Sequence, residues 1–334
     1  MVTAVSTAAT PTPRIDLERF EEQGYLAVES VLDLERDLEP VVREYEALLD
    51  AEIRRWHTEG KLPSTFDELP FTRRLAAFLT EVGPGGYQAL DISLPLRSAT
   101  QETPMHLGPA VFDLLRSPRL IDVVEQFIGS EVLSNPIQHV RIKPPQSMLP
   151  ADFKSSFVGQ TDWHQDQGVA LPEVDETEML TVWLAITEAT VENGCLCVVP
   201  GSHKRGLATH CPAEPGGPRS GLHIPDELRG TAFTPVPVPR GGALFLHRRT
   251  MHASLKNLSA GARWSFDLRY QPIGQPTGRP WFPSFAVRSR ADPAAEVRDW
   301  TVWADLWRQA RARLASGDPV GKTNRWDGSH PMCA

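Results

Sequence analysis

The chain has 334 residues, of which 41% are hydrophobic and 23% are charged. This composition is typical of a folded globular protein and excludes wholesale disorder, coiled coils and collagen-like repeats. The 34 basic and 42 acidic side chains give a net charge of −8 without a block of like charges, so we expect no nucleic-acid partner. No segment approaches the roughly 18 apolar residues of a transmembrane helix, so we expect no membrane partner either.

The N-terminus and the cysteines indicate a cytoplasmic protein. Residues 1–14 are rich in Thr, Ala and Pro and lack the basic and apolar regions of a signal peptide, so we predict a disordered leader. The cysteines form neither a C-x-x-C pair nor a regular framework; they are Cys195, Cys197, Cys211 and Cys333. We therefore expect reduced cysteines, each a buried apolar side chain or a tail thiol, in a reducing compartment.

The first third of the chain is predicted to be mainly helical. Asp16 is a candidate N-cap, and Gly24 ends the first helix before a short strand at Tyr25 to Val28. Apolar residues then recur at intervals of three and four, which is typical of amphipathic helices. The predicted helices are 16–22, 33–58, 71–82 and 109–127, the last broken near Ser117-Pro118.

After Gly129, short apolar runs alternate with turn residues, which predicts an antiparallel sandwich or barrel. The predicted strands are 131–142, 161–166, 179–186, 196–199, 234–238, 243–246 and 263–270. The chain then returns to helix around Trp300 to Ala310. We expect one domain, mainly β with covering helices, over residues 15–320; its parts are a helical region at 15–130, a β core at 131–275 and a C-terminal helical extension at 283–316, followed by a tail at 321–334.

His164 is singled out among the histidines because Asp166 follows two residues later, in Trp163-His164-Gln165-Asp166. Side chains two apart in an extended segment project to the same side, so these two can face one point. Such a pair is two thirds of the 2-His-1-carboxylate triad that holds non-haem Fe(II) and leaves positions open for other ligands. A His-x-Asp pair alone is also common by chance.

A third ligand is expected from a distant strand. His252 follows the apolar run Ala243 to Leu246, which places it at a strand edge. Arg263 then begins the predicted strand at 263–270, where its guanidinium could hold a dicarboxylate through paired hydrogen bonds. Taken alone, Arg263 would be explained equally well by a surface salt bridge.

Together these residues resemble the phytanoyl-CoA dioxygenase family of Fe(II)- and 2-oxoglutarate-dependent oxygenases. The shared motifs occur in the family's order over roughly residues 138–270. They are Lys143-Pro144-Pro145, Trp163-His164-Gln165-Asp166, Trp183 followed by Glu192-Asn193-Gly194, Pro200-Gly201-Ser202-His203, and His252-x-Ser254-x-x-Asn257-x-Ser259-x-x-x-Arg263.

The resemblance implies a double-stranded β-helix, or jelly-roll (cupin-like), core. It implies that His164, Asp166 and His252 bind Fe(II), with 2-oxoglutarate and O₂ as cosubstrates. It also implies that Arg263 binds the distal carboxylate of 2-oxoglutarate.

Three further residues are cosubstrate candidates by the same resemblance. Trp183 falls where the family places an aromatic residue beside the cosubstrate, although a barrel-core tryptophan would look the same. Ser254 could donate its hydroxyl to the carboxylate that Arg263 binds, or could stabilise the turn after His252. His139 lies on the strand that lines the cosubstrate side, where histidine is not the family's usual residue.

The resemblance implies that 2-oxoglutarate is converted to succinate and CO₂ while an unactivated carbon of a small-molecule substrate is hydroxylated. We expect a biosynthetic tailoring step, because no basic run suited to CoA is present, and we expect a lid at 203–233, which is rich in Pro, Gly and Arg. Desaturation, epoxidation or ring formation by the same iron chemistry stays open, as does a non-catalytic jelly-roll binding protein. The oligomeric state is also open between monomer and homodimer. No H-E-x-x-H, G-x-S-x-G or G-x-G-x-x-G motif supports other enzyme classes.

Overall fold

The computed structural model describes residues 12–150, 153, 155, 158–213 and 221–333. Most of the predicted leader and the middle of the predicted lid lie outside these residues. Residues 12–14 contact a helix: Thr12 donates a hydrogen bond to Asp122, and Gln126 donates one to the Pro13 carbonyl. No helix within the described ranges is long and apolar enough to cross a membrane.

Most of the helices precede the β core. Within the described ranges the α-helices are α1 (Leu17–Gln23), α2 (Glu39–Thr58), α3 (Phe71–Val82), α4 (Pro84–Leu90), α5 (Pro109–Leu115), α6 (Pro118–Ile128), α7 (Asp226–Arg229) and α8 (Trp300–Ala315). Proline stands in the first turn of α2, α5 and α6, where its missing N–H costs nothing. A short π-helix at Leu34–Leu38 leads into α2.

Ten strands form two antiparallel sheets in the described chain. They are β1 (Tyr25–Val28), β2 (Glu131–Ser134), β3 (His139–Lys143), β4 (Leu180–Ala185), β5 (Leu196–Val198), β6 (Thr234–Val236), β7 (Ala243–His247), β8 (His252–Ser254), β9 (Arg263–Pro272) and β10 (Phe285–Ser289). The larger sheet has seven strands in the order β1-β7-β4-β9-β2-β10, with β3 also paired to β9, and the smaller has the order β6-β5-β8.

The two sheets enclose a common core. Trp183 and Leu244 of the larger sheet pack with Leu196 and Val236 of the smaller one. This arrangement confirms the predicted mainly β fold with covering helices and its jelly-roll core.

β9 separates the two sides of the larger sheet by alternation. Its even-numbered residues face the helices: the Trp264 ring lies 4.8 Å from the Tyr45 ring, and the Tyr270 hydroxyl donates to the Leu115 carbonyl at 2.7 Å. The odd-numbered residues Arg263, Ser265, Asp267 and Arg269 face the interior of the barrel. The period of two therefore turns an apolar face towards the helices and a polar row towards the barrel interior.

The predicted strand at 161–166 is wrong. His164 makes a single isolated bridge with His252, and Asp166 begins a short 3₁₀ turn. The sequence analysis also missed β8, β10 and α4, and it predicted helix where β10 lies. Both missed strands are short. Pairing of β8 with β5 and of β10 with β2 stabilises an extended conformation that their own sequences do not specify.

A disulfide joins Cys211 to Cys333, at a sequence separation of 122 and with the Cα atoms 5.2 Å apart. The expectation that these two cysteines are reduced is therefore wrong, because their spacing gives no sign that the fold brings them together. Cys195 and Cys197 are buried free thiols, as predicted, and burial raises the pKa of Cys197 to about 12. The cytoplasmic location stays a prediction and loses part of its support from the cysteines.

We expect alkylation to distinguish the two pairs of cysteines. Without reductant, iodoacetamide should label none of them rapidly, because two are bonded and two are buried. After mild reduction with dithiothreitol, Cys333 should become reactive well before Cys195 and Cys197, as measured by peptide mass spectrometry. Rapid labelling of Cys333 in the unreduced protein would contradict the disulfide, and Cys211→Ser supplies the control in which Cys333 is free from the start.

Candidate metal centre and cosubstrate site

Two distant segments bring His164 beside His252. Each residue donates its backbone N–H to the other's carbonyl at 3.0 Å, and the two imidazole centroids lie 4.2 Å apart. Asp166 begins the next turn, with Oδ1 3.8 Å from His164 Nε2 and Oδ2 3.8 Å from His252 Nε2. One ligand atom from each of the three residues lies within 4.8 Å of the others.

Backbone carbonyls orient both imidazoles. Nδ1 of His164 donates to the Asp162 carbonyl at 2.8 Å, and Nδ1 of His252 donates to the Thr250 carbonyl at 2.9 Å. This hydrogen bonding selects the tautomer in which Nε2 carries the lone pair, and Nε2 is the atom that faces Asp166. Burial and the neighbouring His252 lower the pKa of His164 to about 3, so the ring is neutral at pH 7. His247, five residues before His252, does not orient the His252 ring, because the Thr250 carbonyl occupies that position.

Two partners from the larger sheet hold Asp166. Arg269 of β9 forms a buried ion pair with Oδ1, and Thr181 of β4 donates its hydroxyl to Oδ2 at 2.5 Å. Burial alone would raise the pKa of this carboxyl, but the Arg269 guanidinium holds the pKa of Asp166 well below its usual range. One carboxylate with two imidazoles is the donor set of a non-haem iron site.

Arg269 and Thr181 were not predicted as site residues from the sequence. The signal for Arg269 was the alternation of polar residues at 263, 265, 267 and 269, which places all four on one face of a strand. Thr181 carried no such signal, because the other residues of β4 are all apolar and show no polar alternation. Its pairing with Arg269 across the sheet brings its hydroxyl to Asp166.

Arg263 lies at the other end of the inward row, directly opposite Lys143 of β3. Both side chains are buried, and their hydrogen bonds go to neutral groups: Arg263 donates to Ser265 Oγ at 2.5 Å, and Lys143 donates to Ser254 Oγ at 2.6 Å. Within the described ranges, neither cation forms an ion pair with a carboxylate.

Burial disfavours the charged forms of Arg263 and Lys143. Burial lowers the pKa of Arg263 to about 10, and burial together with the charge of Arg263 lowers the pKa of Lys143 well below its ordinary value. A buried charge without a counterion is costly. A carboxylate bound here would therefore be stabilised by both residues.

Ser254 and Trp183 lie around this pair of cations. Ser254 Oγ also accepts a hydrogen bond from the Thr161 N–H at 2.8 Å, so the hydroxyl is shared between the chain and Lys143. The Trp183 ring lies 5.0 Å from the Arg263 guanidinium, within the range of a cation–π contact. Trp183 is thus both a barrel-core residue and a contact of Arg263.

His139 is placed elsewhere. It lies at the start of β3, where its Nδ1 pairs with Asp91 Oδ2 at 2.9 Å. Its ring lines a cavity that also contains His164. The role of His139 towards the cosubstrate stays a prediction.

This cavity has a volume of about 290 Å³. Its described lining residues are Ile137, His139, Arg141, Thr161, Asp162, His164, Val169, Gly221, Leu222, Arg269, Arg279, Thr323 and Asn324. Thr323 and Asn324 come from the predicted tail, and Gly221 and Leu222 come from the predicted lid. The described part of the lid is bonded to the barrel, since Ile224 donates its N–H to the Trp163 carbonyl at 2.7 Å.

Comparison with known proteins gives a family match. The model of the phytanoyl-CoA dioxygenase (PhyH) family matches residues 20–265. The mouse phytanoyl-CoA dioxygenase domain-containing protein 1 is 32% identical over 130 residues, which are 38% of this chain and 43% of the mouse protein. The L-proline trans-4-hydroxylase of Streptomyces griseoviridis is 26% identical over 200 residues, which are 55% of this chain and 71% of that protein. The chain spans less than half the length of the mouse, rat and cattle relatives that it matches.

Among solved structures, one similar chain is the epimerase SnoN from nogalamycin biosynthesis, in complex with Fe³⁺, α-ketoglutarate and nogalamycin RO. The identity is 21%, the TM-score is 0.44, and the match covers 78% of this chain and 85% of the SnoN chain in that complex.

Removing Arg269 should destabilise the protein, because Asp166 would remain buried and charged without its partner. Breaking a buried pair in this way costs about 3–5 kcal/mol. We expect Arg269→Gln to lose that much in urea unfolding of the metal-free protein, and Arg269→Gln combined with Asp166→Asn to lose less than the single variant. Arg298→Gln, which removes an exposed guanidinium, is the matched control. Additive losses in the double variant would show that the two side chains are not coupled.

Proposed function

Because the chain belongs to the phytanoyl-CoA dioxygenase family, we propose that it is an Fe(II)- and 2-oxoglutarate-dependent dioxygenase that hydroxylates an unactivated carbon of a small-molecule substrate. The observation that carries the proposal is the convergence of His164 Nε2, His252 Nε2 and the Asp166 carboxylate on one point. A non-catalytic jelly-roll protein has no need of three convergent ligands, each fixed by a hydrogen bond of its own.

The donor set fits Fe(II), because two imidazoles and one carboxylate leave positions for a 2-oxo acid and O₂. Iron and 2-oxoglutarate bound there supply the oxidative decarboxylation to succinate and CO₂ and the oxidation of the substrate. The chain's own part is orientation. Thr181 and Arg269 hold the Asp166 carboxylate, while the backbone carbonyls fix the imidazoles.

Arg263 is proposed to bind the distal carboxylate of 2-oxoglutarate. Its guanidinium can donate two parallel hydrogen bonds to a carboxylate, and Lys143 lies directly opposite it on β3. Trp183 packs against the guanidinium and excludes water from that side. Ser254 lies two residues after His252 on β8, and its hydroxyl accepts a hydrogen bond from Lys143.

A small substrate is supported by the size of the cavity beside His164. A volume of about 290 Å³ lies at the lower end of the range for small-molecule sites. A biosynthetic tailoring reaction is consistent with the match to L-proline trans-4-hydroxylase, whose name states a small-molecule substrate. We therefore propose a tailoring hydroxylase acting on a free small molecule.

The direct test is a product screen by mass spectrometry. Protein loaded with Fe(II) should convert one member of a small-molecule library to a product one oxygen atom heavier, only when 2-oxoglutarate is added. A product two hydrogen atoms lighter would indicate desaturation or ring formation by the same site. If the iron-loaded protein forms no succinate with any compound, a binding protein is the better description.

Alanine substitution of His164, Asp166 or His252 should each abolish turnover and weaken Fe(II) binding, because each removes one of three protein ligands. Succinate formation and titration with Fe(II) under nitrogen measure the two effects. His57→Ala, at an exposed position on α2, should change neither. Normal iron binding and turnover in one of the three variants would remove that residue from the proposed ligand set.

Arg263→Lys should raise the KM for 2-oxoglutarate by about tenfold or more, because lysine keeps the charge but loses the two-pronged geometry. Arg263→Ala should raise it further. Initial rates at saturating substrate, with 2-oxoglutarate varied, give the measurement, and Arg298→Lys is the control. An unchanged KM in Arg263→Ala would move the carboxylate site, with Lys143 and Arg141 as the next residues to substitute.

A further inference from the structure

Arg279 lies in a wall shared by two cavities. It lines the cavity that contains His164 and also an adjoining one of about 350 Å³, together with Ile137, His139 and Thr323. A substrate that enters through the adjoining cavity and reaches the metal site would therefore pass this guanidinium.

Arg279 differs from the other cations of the inner cavity in its partners. Arg269 pairs with Asp166, and Arg141 pairs with Asp267 at 2.6 Å. Arg279 instead donates to two carbonyls, those of Gly278 at 2.9 Å and Val169 at 2.7 Å. Within the described ranges no carboxylate forms an ion pair with it.

The remaining donors of Arg279 are available for a ligand. A guanidinium has five N–H groups, and the two carbonyls account for two of them. Burial lowers the pKa of Arg279 to about 10, an effect that Arg269 strengthens and Glu173 opposes, so the side chain is charged at pH 7. A half-buried cation without an acid is stabilised by an anion that binds it.

Part of the surrounding wall is apolar. Ile137, Val169 and Leu222 line the inner cavity together with Arg279 and His164, while Leu94 and Phe282 line the outer one. Asp162 also lines the inner cavity, but it has an interaction partner of its own. The arrangement therefore combines one cation that lacks a counterion with a hydrocarbon surface leading to the metal ligands.

We propose that the substrate is a small carboxylate whose anionic group binds Arg279 while its carbon skeleton lies against Ile137, Val169 and Leu222 and extends towards His164. The inference rests on the proposed function for its reactive end and adds the chemical class of the substrate. Carboxylate is favoured over phosphate because a single planar guanidinium matches a carboxylate through two parallel hydrogen bonds.

The test uses matched pairs of compounds that differ only in charge. Octanoate, cyclohexanecarboxylate and benzoate are each compared with the corresponding primary amide, and octyl phosphate is included as the other anion. Binding is measured by calorimetry under nitrogen on protein loaded with Fe(II) and 2-oxoglutarate, and again on protein without either. The second series keeps the test independent of the proposed iron chemistry.

Wild-type protein should bind at least one acid about tenfold or more tightly than its amide, the preference expected of a charge-assisted hydrogen bond. Arg279→Gln, whose amide can still donate to the Val169 carbonyl, should lose most of that preference, and Arg279→Lys should lie between the two. Arg298→Gln removes the same charge from the surface and should keep the wild-type preference.

Several results would overturn the proposal. They are absence of binding by every acid, equal binding of acids and amides, a preference that survives in Arg279→Gln, or tighter binding of octyl phosphate than of octanoate. If Arg279→Gln loses as much affinity for 2-oxoglutarate as for the acids, Arg279 belongs to the cosubstrate site. That result would also overturn the proposal. Failure of the proposed function is seen separately, as absence of succinate formation by iron-loaded wild-type protein.

Discussion

Neutralisation of charge inside the barrel is the constraint on which the site depends. An unpaired buried ion costs several kcal/mol, so a buried charge on the inward row of β9 is stabilised by a partner of opposite charge. Arg269 compensates Asp166, and Asp267 compensates Arg141. Arg263, at the end of the row, has only neutral partners among the described residues. The inward row therefore runs from Arg269, which pairs with the Asp166 carboxylate, to Arg263, the residue proposed to bind the distal carboxylate of 2-oxoglutarate.

The periodic parts of the fold could be predicted from the sequence because their pattern is local. The helix at Phe71–Val82 and the strand at Arg263–Pro272 follow from spacings of three to four and of two. The convergence of His164, Asp166 and His252 was predicted correctly, although the geometric reason was wrong. His164 and Asp166 converge because a 3₁₀ turn follows the bridge to His252, and not because they alternate along a strand.

What the sequence did not predict depends on contacts between distant segments. Thr181 reaches Asp166 only because β4 pairs with β9, and a buried threonine in an apolar strand carries no sign of that contact. Cys211 meets Cys333 only because the tail returns to the mouth of the barrel. β10 forms a strand because it pairs with the edge of the sheet at β2. Such features follow from topology, which local patterns do not encode.

The returning tail also supports the metal centre from outside. Arg325 donates to the carbonyls of Ala170 and Leu171 at 2.8 Å, and Trp326 donates to the Gly168 carbonyl at 2.7 Å. Gly168 lies in the 3₁₀ turn that begins at Asp166, and Ala170 and Leu171 follow that turn directly. Since Thr323 in the same tail lines the cavity, one segment contacts both the cavity and the turn that carries Asp166. The disulfide between Cys333 and Cys211 joins the end of this tail to the predicted lid segment, so the tail is part of the site.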